Sequence, residues 1–113
     1  MSIRFAAQAE FHRAIARAKR LHMLAILKDR EATVSELADT MGVTPVNVSQ
    51  ELAPLRVAGI VRTRRQGKMV YYRLAAPKIL AACGLIAEAM GEIAAARATA
   101  ASHNRFDRAL REI

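Results

Sequence analysis

Aromatic residues are scarce in this sequence: three Phe, two Tyr and no Trp, 4% of the chain. That argues against the stacking platforms that single-strand RNA readers present. The one cysteine, Cys83, rules out an intrachain disulfide framework and fits a reducing compartment. Three prolines and five glycines leave little room for disordered linkers. The longest uninterrupted apolar run, Ile79 to Ala87, falls well short of the ~20 residues a membrane helix needs. The N-terminal stretch carries charges throughout, where a secretion signal would have an apolar core. These absences predict a cytoplasmic chain with no membrane partner.

Acidic residues are missing altogether between Leu52 and Ala87, while Arg56, Arg62, Arg64, Arg65, Lys68, Arg73 and Lys78 all fall there. The whole chain carries a formal +8 on 113 residues. A charge of that size on a small domain attracts polyanions, either nucleic acid or an anionic membrane surface. The plainer alternative is a solvated basic loop region. The length predicts a single domain, residues 1–113, able to bury roughly two-thirds of the surface its unfolded chain exposes. Apolar residues make up 53%, much of it alanine, which suits closely packed helices.

Phe5, Ala9, Phe11, Ala14, Ile15 and Ala18 recur at helical steps and predict an amphipathic helix over about 5–18. A second helical stretch follows around Leu21, Leu24, Ile26 and Leu27, with no Pro or Gly to mark where the first one ends. Thr33 and Glu36 have capping-box spacing, and Gly42 suits the left-handed close of a helix over about 34–41. Thr44 and Pro45 then open a helix over about 45–58 that ends at Gly59. Two short helices separated by Gly42-Val43-Thr44 are a helix-turn-helix signature. Val48, Leu52 and Leu55 share the face that packs inward, and the opposite face shows Val46, Asn47, Ser49, Gln50 and Ala53. Pro54 removes the hydrogen bond to Gln50 and is expected to face solvent and to kink or shorten the last turn.

Past Gly59 the pattern turns to β-branched and aromatic residues, over 60–64 and 69–74, with Arg65-Gln66-Gly67-Lys68 as the turn. At least one of Tyr71 and Tyr72 is expected in the core. Pro77 opens a long helix, about 77–100, apolar on more than one face through Ile79, Leu80, Cys83, Ile86, Met90 and Ile93. A helix of that kind needs partners on two sides, which predicts a dimer. Asn104 to Ile113 reads as one more short helix or a frayed tail.

Helix-turn-helix followed directly by a basic hairpin describes a winged helix, mainly α with one β-hairpin. Its second motif helix would enter the major groove of duplex DNA. Asn47 or Gln50 suits adenine, Ser49 either base type and Val46 a thymine methyl, unless Val46 is an incidental surface residue. Thr44, at the start of the same helix, is counted among the base-reading residues. Arg56, Arg62, Arg64, Arg65 and Lys68 are placed to neutralise phosphates.

The run Ser35-Glu36-Leu37-Ala38, then Gly42 to Pro45, then Val48 to Val61, then Arg64 to Lys68 with Val70 to Leu74, resembles the ArsR/SmtB family of winged-helix repressors. The likeness covers about Phe11 to Met90. It implies a homodimer built on the first and last long helices, bound to a palindromic operator and released by an effector. The sequence departs from that family in lacking a proline before Leu21, in having Gln50 and Glu51 where a histidine is usual, and in Pro54.

The effector is not legible. Where members of that family carry a Cys-x-Cys pair, near Thr33 to Leu37, this chain has no cysteine; Glu88, Glu92 and His103 lack the spacing of their other sites. His12 and His22 read as surface or satisfied residues, so no metal and no cofactor are expected. Cys83 is either a redox switch or a small packing residue. No enzyme is expected: no Cys/His/Asp constellation appears, and Gly67-Lys68 lacks the rest of a phosphate loop, with Arg62 and Met69 where it needs Gly and Ser/Thr. The alternative to a DNA-binding regulator is a basic module that binds RNA or a protein partner.

Overall fold

The computed structural model describes residues 3–111, apart from the side chains of Phe106 and Asp107. The elements run α1 (Ile3–Ile15), α2 (Ala18–Leu27), α3 (Val34–Met41), α4 (Pro45–Val57), β1 (Val61–Gln66), β2 (Met69–Leu74) and α5 (Pro77–Arg111). They form two compact units, the first ending at Leu80 and the second beginning at Ala81.

The first unit is a winged helix. Its core comes from α2 (Met23, Leu24, Leu27), α3 (Leu37, Ala38), α4 (Val48, Leu52, Leu55) and the wing root (Ile60, Val61), with Ala32 between. Of the apolar residues that marked this stretch, Leu24 and Leu27 are buried, with Met23 beside them, whereas Leu21 is 41% exposed. The expected helix over 5–18 stops at Ile15. Arg17 turns extended (φ −140, ψ 139) and α2 starts at Ala18. Ile15 is buried at the break, which no Pro or Gly marks.

Local chemistry fixes the motif. The Thr33 hydroxyl accepts from the Glu36 amide at 3.1 Å, and the Glu36 carboxylate accepts from the Thr33 amide at 3.2 Å. At the far end of α3, Gly42 takes φ +68, and its own amide and that of Val43 both return to the Ala38 carbonyl. A side chain at Gly42 would be strained there. The Thr44 hydroxyl then caps α4 by accepting from the Asn47 amide at 3.1 Å.

Pro54 neither faces open solvent nor shortens α4, which continues to Val57. It is half-buried in a cleft with Phe11 and Ala14 of α1. The last turn survives because its other bonds are strong: Gly59 and Ile60 donate to the Arg56 and Leu55 carbonyls, and Leu55 and Ile60 are fully buried together. The carbonyl left free by Pro54 belongs to exposed Gln50, where water can reach it.

The hairpin is antiparallel, with Gln66 opposite Met69 and Val61 opposite Leu74. Arg65 and Gln66 therefore belong to β1, and the turn is only Gly67-Lys68, with Gly67 at φ +59. Neither tyrosine is fully buried; both are intermediate. The wing root is stitched to the α2–α3 connection: Ala32 and Tyr72 exchange two backbone hydrogen bonds, at 3.0 and 2.8 Å.

The second unit is α5 from Ala81 onward, and the helix runs past Asn104 to Arg111 rather than ending near residue 100. Glu112 and Ile113 lie outside the described residues. Ile79, Cys83, Ile86, Met90 and Ile93 follow at alternating four- and three-residue steps, the spacing of a helix-pairing seam. Ile86, Met90 and Ile93 are 53%, 64% and 52% exposed. An 18-residue stretch of α5 has mean hydropathy 1.7, long and apolar enough by length and composition alone to cross a membrane. Counting uninterrupted apolar residues misses this, because the run stops at Glu88.

Truncating Leu52 to Ala should cost about 2–5 kcal/mol by urea unfolding, since Leu52 is central to the core. Thr33→Ala should cost about 1 kcal/mol. Val46→Ala, at a 67% exposed position, should leave the unfolding midpoint unchanged.

Candidate nucleic-acid interface

Burial of Val48, Leu52 and Leu55 turns the other side of α4 outward. Ser49, Gln50 and Ala53 are exposed there, and Val46 projects an apolar tip. Asn47 departs from the predicted outward face. It is half-buried, and its side-chain Oδ1 is buried without a partner. Oxygen and nitrogen of that amide exchange by a simple flip, so one polar end faces inward and the other is offered outward. Thr44 is exposed, but its hydroxyl oxygen already serves as the helix cap; its proton remains available to donate.

The predicted cations do not form one cluster. Strand alternation places Arg62 and Arg64 on one face of the wing, opposite Arg73 and Tyr71, and Arg65 on the other, opposite Val70. Lys68 stands at the turn. Arg56 leaves the C-terminal half of α4 and borders a cleft of about 560 Å³ with Ser49, Ala53 and Tyr72. Among the described residues Arg56, Arg62, Arg65 and Lys68 make no ion pair.

Arg64 is different. Its Nε and Nη2 donate to the Glu31 carboxylate at 3.1 and 2.7 Å, and its Nη1 donates to Gln66 at 2.9 Å. The guanidinium lies 4.7 Å from the centre of the Tyr71 ring. The hydrogen bonds from Arg64 hold the Glu31 carboxyl below the usual glutamate range, with the charges of Arg64 and Arg73 adding to them. Arg64 is thus a tether between wing and α2–α3 connection as well as a surface cation. Nothing local in the sequence marks this, because its partner lies 33 residues away.

A second ionic group also escapes a reading of sequence alone. Glu51, on α4, is buried and pairs with Arg20 at 2.9 Å and Arg17 at 3.4 Å. Its position beside Leu52 and between Val48 and Leu55 is the one signal that could have shown it facing inward. Arg30 similarly ties the α2–α3 connection to Glu36 and Thr40 of α3.

Cys83 is half-buried on the α5 seam. Among the described residues no group of three or more His, Cys, Asp or Glu side chains is arranged to hold a metal ion.

A family model described as "Bacterial regulatory protein, arsR family" matches residues 17–63. The HTH-type transcriptional regulator KmtR of Mycobacterium tuberculosis is 49% identical over 65 residues, 58% of this chain and 50% of that protein. The chain thus spans half the length of that relative. The crystal structure of Rv0081 from the same organism superposes with a TM-score of 0.76 at 31% identity, over 86% of this chain and 98% of that one. A homodimeric winged helix-turn-helix DNA-binding domain from Mycobacterium bovis superposes at 0.70 and 30% identity, over 81% and 92%. With the motif, the wing and these likenesses in register, the chain belongs to the arsR family of bacterial regulatory proteins.

Proposed function

We propose that this protein is a homodimeric, sequence-specific regulator of transcription that reads duplex DNA with α4 and holds its backbone with the wing. The observation that carries this reading is the exposed side of α4. Its short polar side chains stand over a packed face, beside a hairpin on which Arg62, Arg65 and Lys68 make no ion pair among the described residues. Gln50, Ser49 and the outward end of Asn47 read base edges, with Val46 against a thymine methyl and Thr44 on the flanking phosphate. Arg56, Arg62, Arg65 and Lys68 neutralise phosphates. An RNA-binding role is less well served, since Tyr71 lies under Arg64 and offers no open stacking platform.

The second copy is proposed to cover the α5 seam, giving two reading helices for a palindromic site in the cytoplasm. The M. bovis domain, itself homodimeric, supports this. Repression needs no part beyond the DNA-bound dimer, because occupancy alone blocks a promoter. Cys83 is read as a packing residue of the seam rather than a thiol switch.

The test is selection of duplexes from a randomised pool, followed by fluorescence anisotropy at fixed salt. A palindromic winner bound well above a scrambled duplex is expected; no enrichment would refute the reading. On the selected duplex, Gln50→Ala should cost about 1–3 kcal/mol and relax preference at one position. Arg65→Ala and Lys68→Ala should instead weaken all duplexes alike, each lowering the salt slope by about 1. Peroxide-treated wild type and Cys83→Ser should bind as untreated wild type does.

The Glu31–Arg64 tether has a defined acid limit. A carboxyl whose folded pKa lies below its unfolded value contributes stability above the unfolded pKa and loses it as pH falls through the folded one. Wing anchoring should therefore be constant across neutral pH and loosen only in acid, below the usual glutamate range. Carboxyl carbon NMR should show Glu31 titrating low in the wild type and returning to the ordinary range in Arg64→Ala.

A further inference from the structure

Glu51 is the one buried carboxylate next to the proposed base-reading residues, and nothing in DNA contact accounts for it. It follows Gln50 directly, yet its side chain is only 8% exposed. Its Oε2 accepts from Arg20 Nε at 2.9 Å, and its Oε1 lies 3.4 Å from Arg17 Nη2. Arg20 is itself 13% exposed and uses a second nitrogen, Nη1, to donate to the Ala14 carbonyl at the end of α1, at 3.1 Å. One planar guanidinium therefore bonds a main-chain oxygen of α1 and a carboxylate of α4 while its own backbone belongs to α2.

We infer that Glu51 is a positioning residue that sets the rotation of the reading helix about its own axis, with Arg20 as its fixed anchor. This rests on the function proposed above. The packing of Val48, Leu52 and Leu55 holds α4 against the core, but apolar contacts are non-directional and tolerate small rotations. A charge-assisted hydrogen bond does not, because it weakens steeply as its angle departs from linear. Successive helical residues lie about 100° apart, so fixing position 51 fixes where Gln50 and Asn47 point. The arginine fork has little freedom to follow a rotating partner, since its plane is held by the Ala14 carbonyl. Arg17, 60% exposed, adds charge to the pair but little direction.

A buried ion pair can be replaced by apolar side chains of similar size with little loss of stability, whereas breaking one partner leaves a stranded charge. That difference separates positioning from mere structural support. The variants are Glu51→Leu and the double variant Arg20→Met with Glu51→Leu, each compared with wild type for thermal unfolding and for binding two probes. One probe is the duplex that wild type selects from a randomised pool; the other is the same duplex scrambled.

Glu51→Leu should unfold at lower temperature, and the double variant should recover most of that loss. The double variant should still discriminate the selected duplex from the scrambled one roughly tenfold less well than wild type. Its affinity for the scrambled duplex and its salt slope should be unchanged. Arg17→Ala should keep full discrimination. A double variant that is stable and discriminates as wild type does would overturn the assignment, as would equal loss on both duplexes. Failure of wild type to select any duplex would remove the proposed function and this inference together.

Discussion

Val48, Leu52 and Leu55 recur at four- and three-residue steps along α4, and burying them against α2 and α3 is what orients the opposite side of that helix. Each of the other devices in the first unit serves that burial. Gly42 reverses the chain so that α3 and α4 meet at an angle, and Thr44 starts α4 where its apolar stripe faces in. Gly59 then ends it so that Ile60 drops into the core beside Leu55 and hands the chain to the wing. The proposed reading face is the remainder left by packing, and its side chains are short and carry no charge up to Gln50.

The charges divide into two sets with different physical duties. Arg20, Arg30 and Arg64 are spent on bridges between elements: α2 to α4, the α2–α3 connection to α3, and the wing to that same connection. Arg56, Arg62, Arg65 and Lys68 hold no acidic partner among the described residues, so their field reaches solvent. The acid-free stretch from Leu52 to Ala87 thus holds all of the second set but also Arg64 of the first, whose partner Glu31 lies outside it. Net charge alone would have counted all of them as available to a polyanion.

What the sequence discloses is whatever local chemistry enforces. The Thr33–Glu36 box, the Gly42 reversal and the Thr44 cap each act within a few residues, and all are formed in the structure. So is the inward stripe of α4. The α1–α2 break is not legible, because Ala16 and Arg17 are unremarkable in a helix and no Pro or Gly stands there. Ser102, His103 and Asn104 look like a stop but only lower helix propensity slightly, and α5 passes through them. On the interface, the exposure of Ser49 and Gln50 followed from periodicity. The inward turn of Asn47 and the capture of Arg64 by Glu31 depend on neighbours that periodicity does not name.

The two backbone bonds between Ala32 and Tyr72 give the hairpin a third point of attachment beyond its two strand ends. A hairpin hung only from its ends is a flap, and contact with a ligand must first quiet it. In the proposed complex this one is closer to the fixed jaw of a calliper, with α4 as the other jaw. Little ordering entropy then remains to be lost when a double helix enters. Accommodation falls instead on the nucleic acid, whose groove width and bending stiffness vary with sequence at positions no side chain touches. A rigid wing root therefore makes the mechanical properties of the duplex part of what is measured.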